Sequence, residues 1–271
     1  MLEKLSKVII TKNEKVVLIT GAAGGIGKEL CHKFYRLNYL VAGLDINEEK
    51  LNSLPKEFNF DPQRFLGLTV DITIPNKVEE AIRKIKENFG NIEVVINNAG
   101  GPTSNTFKRT TKKQWLDDIE LNLNSVFYVL SSILPEMVKL KRGIIINIGS
   151  VNGLSVFGHP AYSAAKAGLI NLTKSLAIEY GKYSIRCNVI CPGTVKTEAW
   201  KARMEKNPNL WKNLQTLYSI NELSEPSDIA EIAGFLASRA ARMINGSTII
   251  VDGGLTAGFP NIAETFIQEE F

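Results

Sequence analysis

Seven short runs of β-branched and aliphatic residues, at 16–20, 40–44, 65–70, 94–97, 144–148, 186–190 and 247–251, alternate with longer stretches of helical periodicity. Those stretches lie at 25–38, 47–54, 75–89, 113–141, 161–182 and 227–238. Two consecutive parallel strands need a crossover of a dozen or more residues, and a helix supplies it. The alternation therefore predicts an α/β chain, a doubly wound parallel sheet of seven strands with helices on both faces.

No Pro/Gly/Ser-rich linker or shift in composition divides the 271 residues, so one domain over 1–271 is expected. Within it, 1–14 reads as an N-terminal extension and 255–271 as a C-terminal tail. The longest interruption, 194–225, carries Trp200, Met204, Trp211 and Tyr218 and has the length of a lid over a substrate. The net charge of +4 is too small on a chain this long to suggest a nucleic-acid or membrane partner. Two denser basic stretches, at 108–113 and 139–142, would attract an acidic carrier or lie idle on the surface. Cys31, Cys187 and Cys191 form no disulfide framework and read as reduced core thiols. With no signal-like segment before the first apolar run and no long apolar span, a cytoplasmic protein is expected.

The first strand runs into Thr20-Gly21-Ala22-Ala23-Gly24-Gly25-Ile26-Gly27 and then directly into a helix. Glycines let the backbone approach a pyrophosphate closely, and the unpaired N–H groups and dipole of a helix N-terminus stabilise its charge. Asp45 ends the second strand, 18 residues after Gly27, where a carboxylate can accept from both hydroxyls of an adenosine ribose. A 2′-phosphate there would be repelled, and neither Gly24 nor Ile46 offers a compensating cation. The expected cofactor is NAD(H) in preference to NADP(H). A strand-end acid or a helix cap remains the plain alternative for Asp45.

Tyr162 and Lys166 stand four apart on one face of a helix that continues through Leu169, Leu172 and Leu176. Ser150 lies twelve residues before Tyr162 at the end of an apolar strand, and Asn122 lies in the middle of the 113–141 helical stretch. With these residues the chain resembles the short-chain dehydrogenase/reductase family, over about 15–254. The motifs that carry the likeness are 20–27, Asp71, Asn97-Asn98-Ala99-Gly100, Asn122, Ser150, Tyr162-x-x-x-Lys166 and Pro192-Gly193. The resemblance implies a Rossmann-type fold and interconversion of a secondary alcohol and a ketone.

It further implies Tyr162 as acid/base, Lys166 holding the nicotinamide ribose and lowering the tyrosine pKa, and Ser150 bonding the reacting oxygen. Asn122 would hold a water linking Lys166 to solvent. Free tyrosine ionises near pH ~10, and a neighbouring ammonium together with the positive nicotinamide favours the phenolate. On the cofactor side the resemblance places Asp71 and Ile72 at the adenine, Asn97, Asn98, Ala99 and Gly100 along the adenosine side, and Pro192, Gly193, Val195 and Thr197 near the carboxamide. Asp71 as the cap of the next helix, and 97–100 and 192–193 as plain turns, stay open.

Substrate contacts are expected from Ser150, Asn152, His159, Tyr162 and Trp200, with His159 and Trp200 equally readable as an idle loop residue and a lid anchor. Gly149, where many relatives carry a second serine, is expected to widen the substrate side. The tail, with Phe259, Phe266, Ile267 and Phe271, is apolar enough to dock on a neighbouring subunit, and the resemblance implies a homotetramer or homodimer. No His, Cys, Asp or Glu grouping has metal-ligand spacing, so no metal is expected. Two other functions stay in view: a 3-oxoacyl-(acyl-carrier-protein) reductase, and a regulator that binds NAD(H) without turnover.

Overall fold

The structure, a computed structural model, describes residues 15–258 and 260–270. The 1–14 extension, Phe259 and Phe271 lie outside the described residues. All seven expected strands are present: β1 (Lys15–Thr20), β2 (Tyr39–Asp45), β3 (Phe65–Thr69), β4 (Ile92–Asn97), β5 (Gly143–Ile148), β6 (Ile185–Pro192) and β7 (Thr248–Val251). They form one parallel sheet in the order β3-β2-β1-β4-β5-β6-β7. The order reverses between β1 and β4, and in such sheets a ligand crevice opens beyond the carboxyl ends at that point.

Alternate residues of β1 enter two separate cores, as the period of two requires. Val16 and Leu18 pack on one face with Val78, Ile82 and Ile85 of α3 (Pro75–Phe89) and Ile133 and Met137 of α5 (Ser125–Leu140). Val17 and Ile19 pack on the other with Leu30 and Phe34 of α1 (Gly25–Arg36) and with Leu51 and Leu54 of α2 (Glu48–Phe58). Ile229 and Leu236 of α9 (Pro226–Ala237) complete that second layer. Each such aliphatic or aromatic side chain contributes roughly 1.5–3 kcal/mol by leaving water. The α/β doubly wound Rossmann-like fold expected from the alternation is the fold observed.

Two helices depart from the sequence pattern. The 113–141 stretch is helical from Lys112 to Leu140 but not uniformly α: α4 (Lys112–Ile119) passes into a π turn at Glu120–Asn124 before α5 begins. Apolar spacing of three and four does not register a local widening of this kind. The helix expected at 47–54 continues through Pro55 to Phe58, because Leu51 and Leu54 remain buried and one missing N–H near a helix end is tolerated.

The 194–225 segment holds two short helices, α7 (Lys201–Lys206) and α8 (Leu210–Gln215), and its ends are joined. Val195 bridges Ser224, and the Lys196 N–H donates to the Ser224 carbonyl at 2.9 Å. Buried Tyr218 accepts the Thr194 N–H at 2.7 Å. Beyond α6 (Pro160–Tyr180) and α9, the tail forms α10 (Pro260–Ile267), on which Ile262, Phe266 and Ile267 are exposed. No described helix is long and apolar enough to cross a membrane.

Candidate active site

A cavity of about 1130 Å³ opens over the carboxyl ends of the strands. Its first wall is the turn between β1 and α1. Gly21 has φ +64°, and a Cβ there would lie 2.8 Å from Ala99 Cα. A Cβ on Gly25 would lie 2.6 Å from Thr197 Cγ2. Both positions exclude any side chain but hydrogen. Gly24 is the N-cap of α1 and offers no side-chain cap, so the first N–H groups of the helix stay available to an anion. Gly21, Gly24, Gly25 and Ile26 line the cavity.

Gly27 does not line it. A Cβ there would fall 1.9 Å from the Gly21 carbonyl oxygen, so this glycine serves the packing of helix on turn. Asn98 and Thr20 hold the same turn in place. Asn98 Nδ2 donates to the carbonyls of Thr20 and Gly21 at 3.0 and 3.1 Å, and Thr20 Oγ1 accepts the N–H groups of Asn98 and Ala99. The role of Thr20 was not anticipated from sequence, although a hydroxyl directly before a glycine turn is the available signal.

Asp45 ends β2 at the cavity wall, where its Oδ2 accepts the Ala23 N–H and its Oδ1 the Asn47 N–H, each at 2.9 Å. The carboxylate therefore braces the glycine turn as well as facing the cavity. The nearby cations are already engaged: Lys28 pairs with Glu57 and Lys50 with Glu198, both at 2.8 Å. Asp71 also lines the cavity beside Ile72 and takes Thr73 Oγ1 at 2.6 Å, while the cap of α3 falls at Ile74. The cap alternative for Asp71 is thereby excluded.

Asn97 is a correction. Its side chain points away from the cavity into the sheet, donating to Asn147 Oδ1 at 2.8 Å, and Asn147 in turn donates to Thr173 Oγ1 at 2.9 Å. Asn98, Ala99 and Gly100 do line the cavity, as do Pro192, Gly193, Val195 and Thr197. These residues form a channel with a glycine-rich, uncapped anion cradle at one end and a carboxylate beside it, which fits a dinucleotide.

At the other end of the channel, α6 presents Tyr162 and Lys166 on one face, with the Lys166 Nζ 5.6 Å from the tyrosine ring centroid. Lys166 is 3% exposed and donates to the Ile148 carbonyl at 2.8 Å. Burial pushes its pKa down to about 8. Ser150, at the end of β5, lies within hydrogen-bond reach of Tyr162, and its Oγ accepts the Asn152 N–H at 3.1 Å. Asn122 sits in the π turn, fully buried, donating to the carbonyls of Gly101 and Asp118 and accepting the Gly101 N–H. It stands behind the cavity wall rather than on it.

Burial pushes the Tyr162 phenol above its usual value, Ser150 pulls it back, and Cys191 and Asp118 add to the rise. Lys166 is tied to a carbonyl and is itself desolvated.

Gly149 lines the cavity, and a Cβ there would lie 2.8 Å from both Cys191 Sγ and Val189 Cγ2, on the β6 side. Cys191 and its fellows Cys31 and Cys187 are free and buried, as expected.

Asn152, His159 and Trp200, the residues expected to meet a substrate, all line the cavity. His159 is not idle. It caps α6 at φ +54°, its Nδ1 bonds the Ser104 carbonyl, and its ring stands edge-on to Tyr162 at 6.5 Å. Trp200 packs on Trp211 at 5.6 Å between ring centroids, and the Arg203 guanidinium lies 4.7 Å from the Trp200 ring centroid.

Similarity to known proteins follows this geometry. The family model for short chain dehydrogenase matches residues 15–208. An uncharacterized oxidoreductase of Schizosaccharomyces pombe is 41% identical over 265 residues, covering 96% of this chain and 98% of its own. The 3-oxoacyl-(acyl-carrier-protein) reductase FabG of Thermotoga maritima is 35% identical over 247 residues, covering 89% and 97%. Among solved structures, an oxidoreductase of this family from Burkholderia thailandensis superposes with a TM-score of 0.89 at 39% identity, covering 96% of this chain and 99% of that one.

Proposed function

The chain belongs to the short-chain dehydrogenase family, and from that premise we propose that it interconverts a secondary alcohol and a ketone with NAD(H). The observation that carries this reading is the convergence of Ser150, Tyr162 and Lys166 at one end of a channel whose other end is an anion cradle. When bound, the nicotinamide supplies the acceptor or donor of hydride. In alcohol oxidation the Tyr162 oxygen takes the hydroxyl proton as the carbon-bound hydrogen leaves with its electron pair, and in ketone reduction it returns that proton. Ser150 donates to the reacting oxygen and fixes its distance from Tyr162. Lys166, four residues along the same helix face, holds the nicotinamide ribose.

Gly21, Gly24, Gly25 and Ile26 would take the pyrophosphate, Asp45 the adenosine ribose hydroxyls, and Asp71 and Ile72 the adenine. Asn98, Ala99 and Gly100 would line the adenosine side, and Pro192, Gly193, Val195 and Thr197 the carboxamide side. NAD(H) is favoured over NADP(H) because Asp45 would oppose a 2′-phosphate and because Lys28 and Lys50 are already paired. Asn122, its amide engaged by Gly101 and Asp118, orders the loop beside Lys166. The 194–225 segment acts as a lid whose base is closed by the Val195 and Ser224 bridge, with Asn152, His159 and Trp200 meeting the substrate. We assign the exposed apolar face of α10 to a neighbouring subunit of a homo-oligomer, in a cytoplasmic protein.

A 3-oxoacyl-(acyl-carrier-protein) reductase activity is the second reading, favoured by the Thermotoga maritima relative and by the cationic Arg203, which lies over the Trp200 ring and lines the cavity from the lid. The test is Tyr162→Phe with a panel of alcohols and NAD+, followed by NADH absorbance. Turnover should vanish while NADH binding persists; equal turnover in the variant would sink the mechanism. Reduction of an acyl-carrier-bound β-ketoacyl substrate faster with NADPH than with NADH would move the assignment to the second reading.

A further inference from the structure

Apart from His159, the charged or titratable acids and bases on the cavity wall are Asp45, Asp71, Asp117, Glu120, Lys166 and Arg203. All but the last have polar partners within the chain. Asp45 accepts the Ala23 and Asn47 N–H groups, and Asp71 the Thr73 hydroxyl. Asp117 takes Lys113 Nζ at 2.6 Å, Glu120 accepts Asn124 Nδ2 at 2.6 Å and the Tyr128 hydroxyl at 2.7 Å, and Lys166 donates to Ile148. Arg203 has the face of Trp200, whose centroid lies 4.7 Å from its guanidinium carbon. Among the described residues no carboxylate pairs with that guanidinium and no oxygen accepts from it.

Arg203 stands on α7, and Trp200 immediately precedes that helix. Trp200 in turn packs on Trp211 of α8 at 5.6 Å, so the guanidinium rests on a platform built from two elements of the 194–225 segment. Stacking on a ring occupies the face of a guanidinium and leaves free the N–H donors along its edge, and those donors match two oxygens of a carboxylate or phosphate at once. The stack also restricts the side chain before a ligand arrives, which lowers the ordering cost of the contact. Arg203 is exposed, as a residue must be whose partner comes from solution.

We propose that Arg203 is a specificity-determining residue that takes an oxyanion of the substrate, a carboxylate or a phosphate, so that the substrate is an anionic ketone or alcohol. This assignment rests on the reading of the chain as an alcohol/ketone oxidoreductase with 194–225 as its lid, and it names the substrate class. Asp117 and Glu120 hold donors of their own, which leaves Arg203 as the charged group of the wall without a counterpart. A neutral polyol or sterol would leave the guanidinium edge to water. A free acid and the phosphate of a thioester arm would make the same contact.

The test reads binding without turnover. With the oxidised nicotinamide cofactor bound, a ketone forms a complex in which no hydride can pass, and calorimetry gives its affinity whatever the fate of the Tyr162 mechanism. Two pairs of probes each differ by one anion: acetoacetate against methyl acetoacetate, and S-acetoacetyl-phosphopantetheine against S-acetoacetyl-pantetheine. In the wild type the charged member of at least one pair should bind about tenfold or more tighter than its neutral partner, as one charge-assisted contact implies. Arg203→Leu, which keeps an apolar stem against Trp200, should bring that ratio close to unity, and Arg203→Lys, which keeps the charge, should retain part of it. Preference in the first pair identifies a free oxo acid, and preference in the second a phosphorylated thioester arm. A wild type that prefers neither charged probe, or a preference that survives Arg203→Leu, overturns the assignment. A merely structural Arg203 would weaken both members of a pair alike and leave the ratio where it was. Turnover in Tyr162→Phe decides the mechanism separately.

Discussion

The ammonium of Lys166 donates to the carbonyl of Ile148 at 2.8 Å, anchoring the helix that carries Tyr162 to the end of β5. The contact joins α6 to the strand that leads into Ser150, so the elements carrying Tyr162, Lys166 and Ser150 are fixed relative to one another. It also places a cation where water does not reach, which has a consequence for stability.

Burial lowers the folded-state pKa of Lys166 to about 8 from 10.5. Between those values the unfolded chain holds a proton that the folded chain has released, so stability contributed at this site rises with pH in that window. Below about pH 8 both states are charged and the folded state bears the whole desolvation penalty. Relative to Lys166→Met, the wild type should therefore gain stability as pH rises from about 8 to 10.5, measured as urea midpoints at several pH values. A constant difference across the range would contradict the buried-cation account.

Asp45 both braces the Ala23 N–H and lines the cavity, where we propose the adenosine ribose binds. Replacing it with serine removes the charge that opposes a 2′-phosphate and weakens the brace. NADPH affinity should rise relative to NADH, and absolute NADH affinity should fall about tenfold, as losing one charge-assisted hydrogen bond implies. Titration of nucleotide fluorescence with both cofactors reads the two effects separately.

Gly149→Ser tests the direction in which a side chain would point. Its Cβ would meet Cys191 Sγ and Val189 Cγ2 at 2.8 Å, so the variant should lose about 1–3 kcal/mol of stability through overpacking. Adding Cys191→Ala should restore part of that loss. A change in KM with no change in thermal midpoint would instead place the missing side chain on the substrate side.

Thr173 accepts from Asn147 inside the sheet and donates to the Leu169 carbonyl. Thr173→Val is nearly isosteric but leaves the Asn147 amide with only a long contact to Cys187 Sγ at 3.8 Å. The expected cost is about 1–3 kcal/mol, the penalty of an unsatisfied buried donor. Differential scanning calorimetry would show it as a lower midpoint, and cofactor affinity should stay unchanged because the network faces away from the cavity.

Much of this architecture is local and therefore legible in the chain itself. The β-branched runs and helical periodicities mark the strands and crossovers, and crossover handedness leaves few topologies for them. A glycine turn between strand and helix, an acid ending β2, and Tyr162 with Lys166 on one helix face are all spacings within one or two elements. What required the tertiary structure are relations across the sheet. Asn97 turns into the sheet while Asn98 locks the glycine turn, because their faces alternate at the end of β4 and only the register with β1 and β5 says what each face meets. Gly27 and Gly25 look alike in sequence, yet one is required by the packing of its own helix and the other by Thr197, far along the chain. The π turn that places Asn122 and the position of Cys191 behind Gly149 were likewise decided by packing. Periodicity specifies which side of an element is apolar; contacts between elements distant in sequence specify which atom stands next to which.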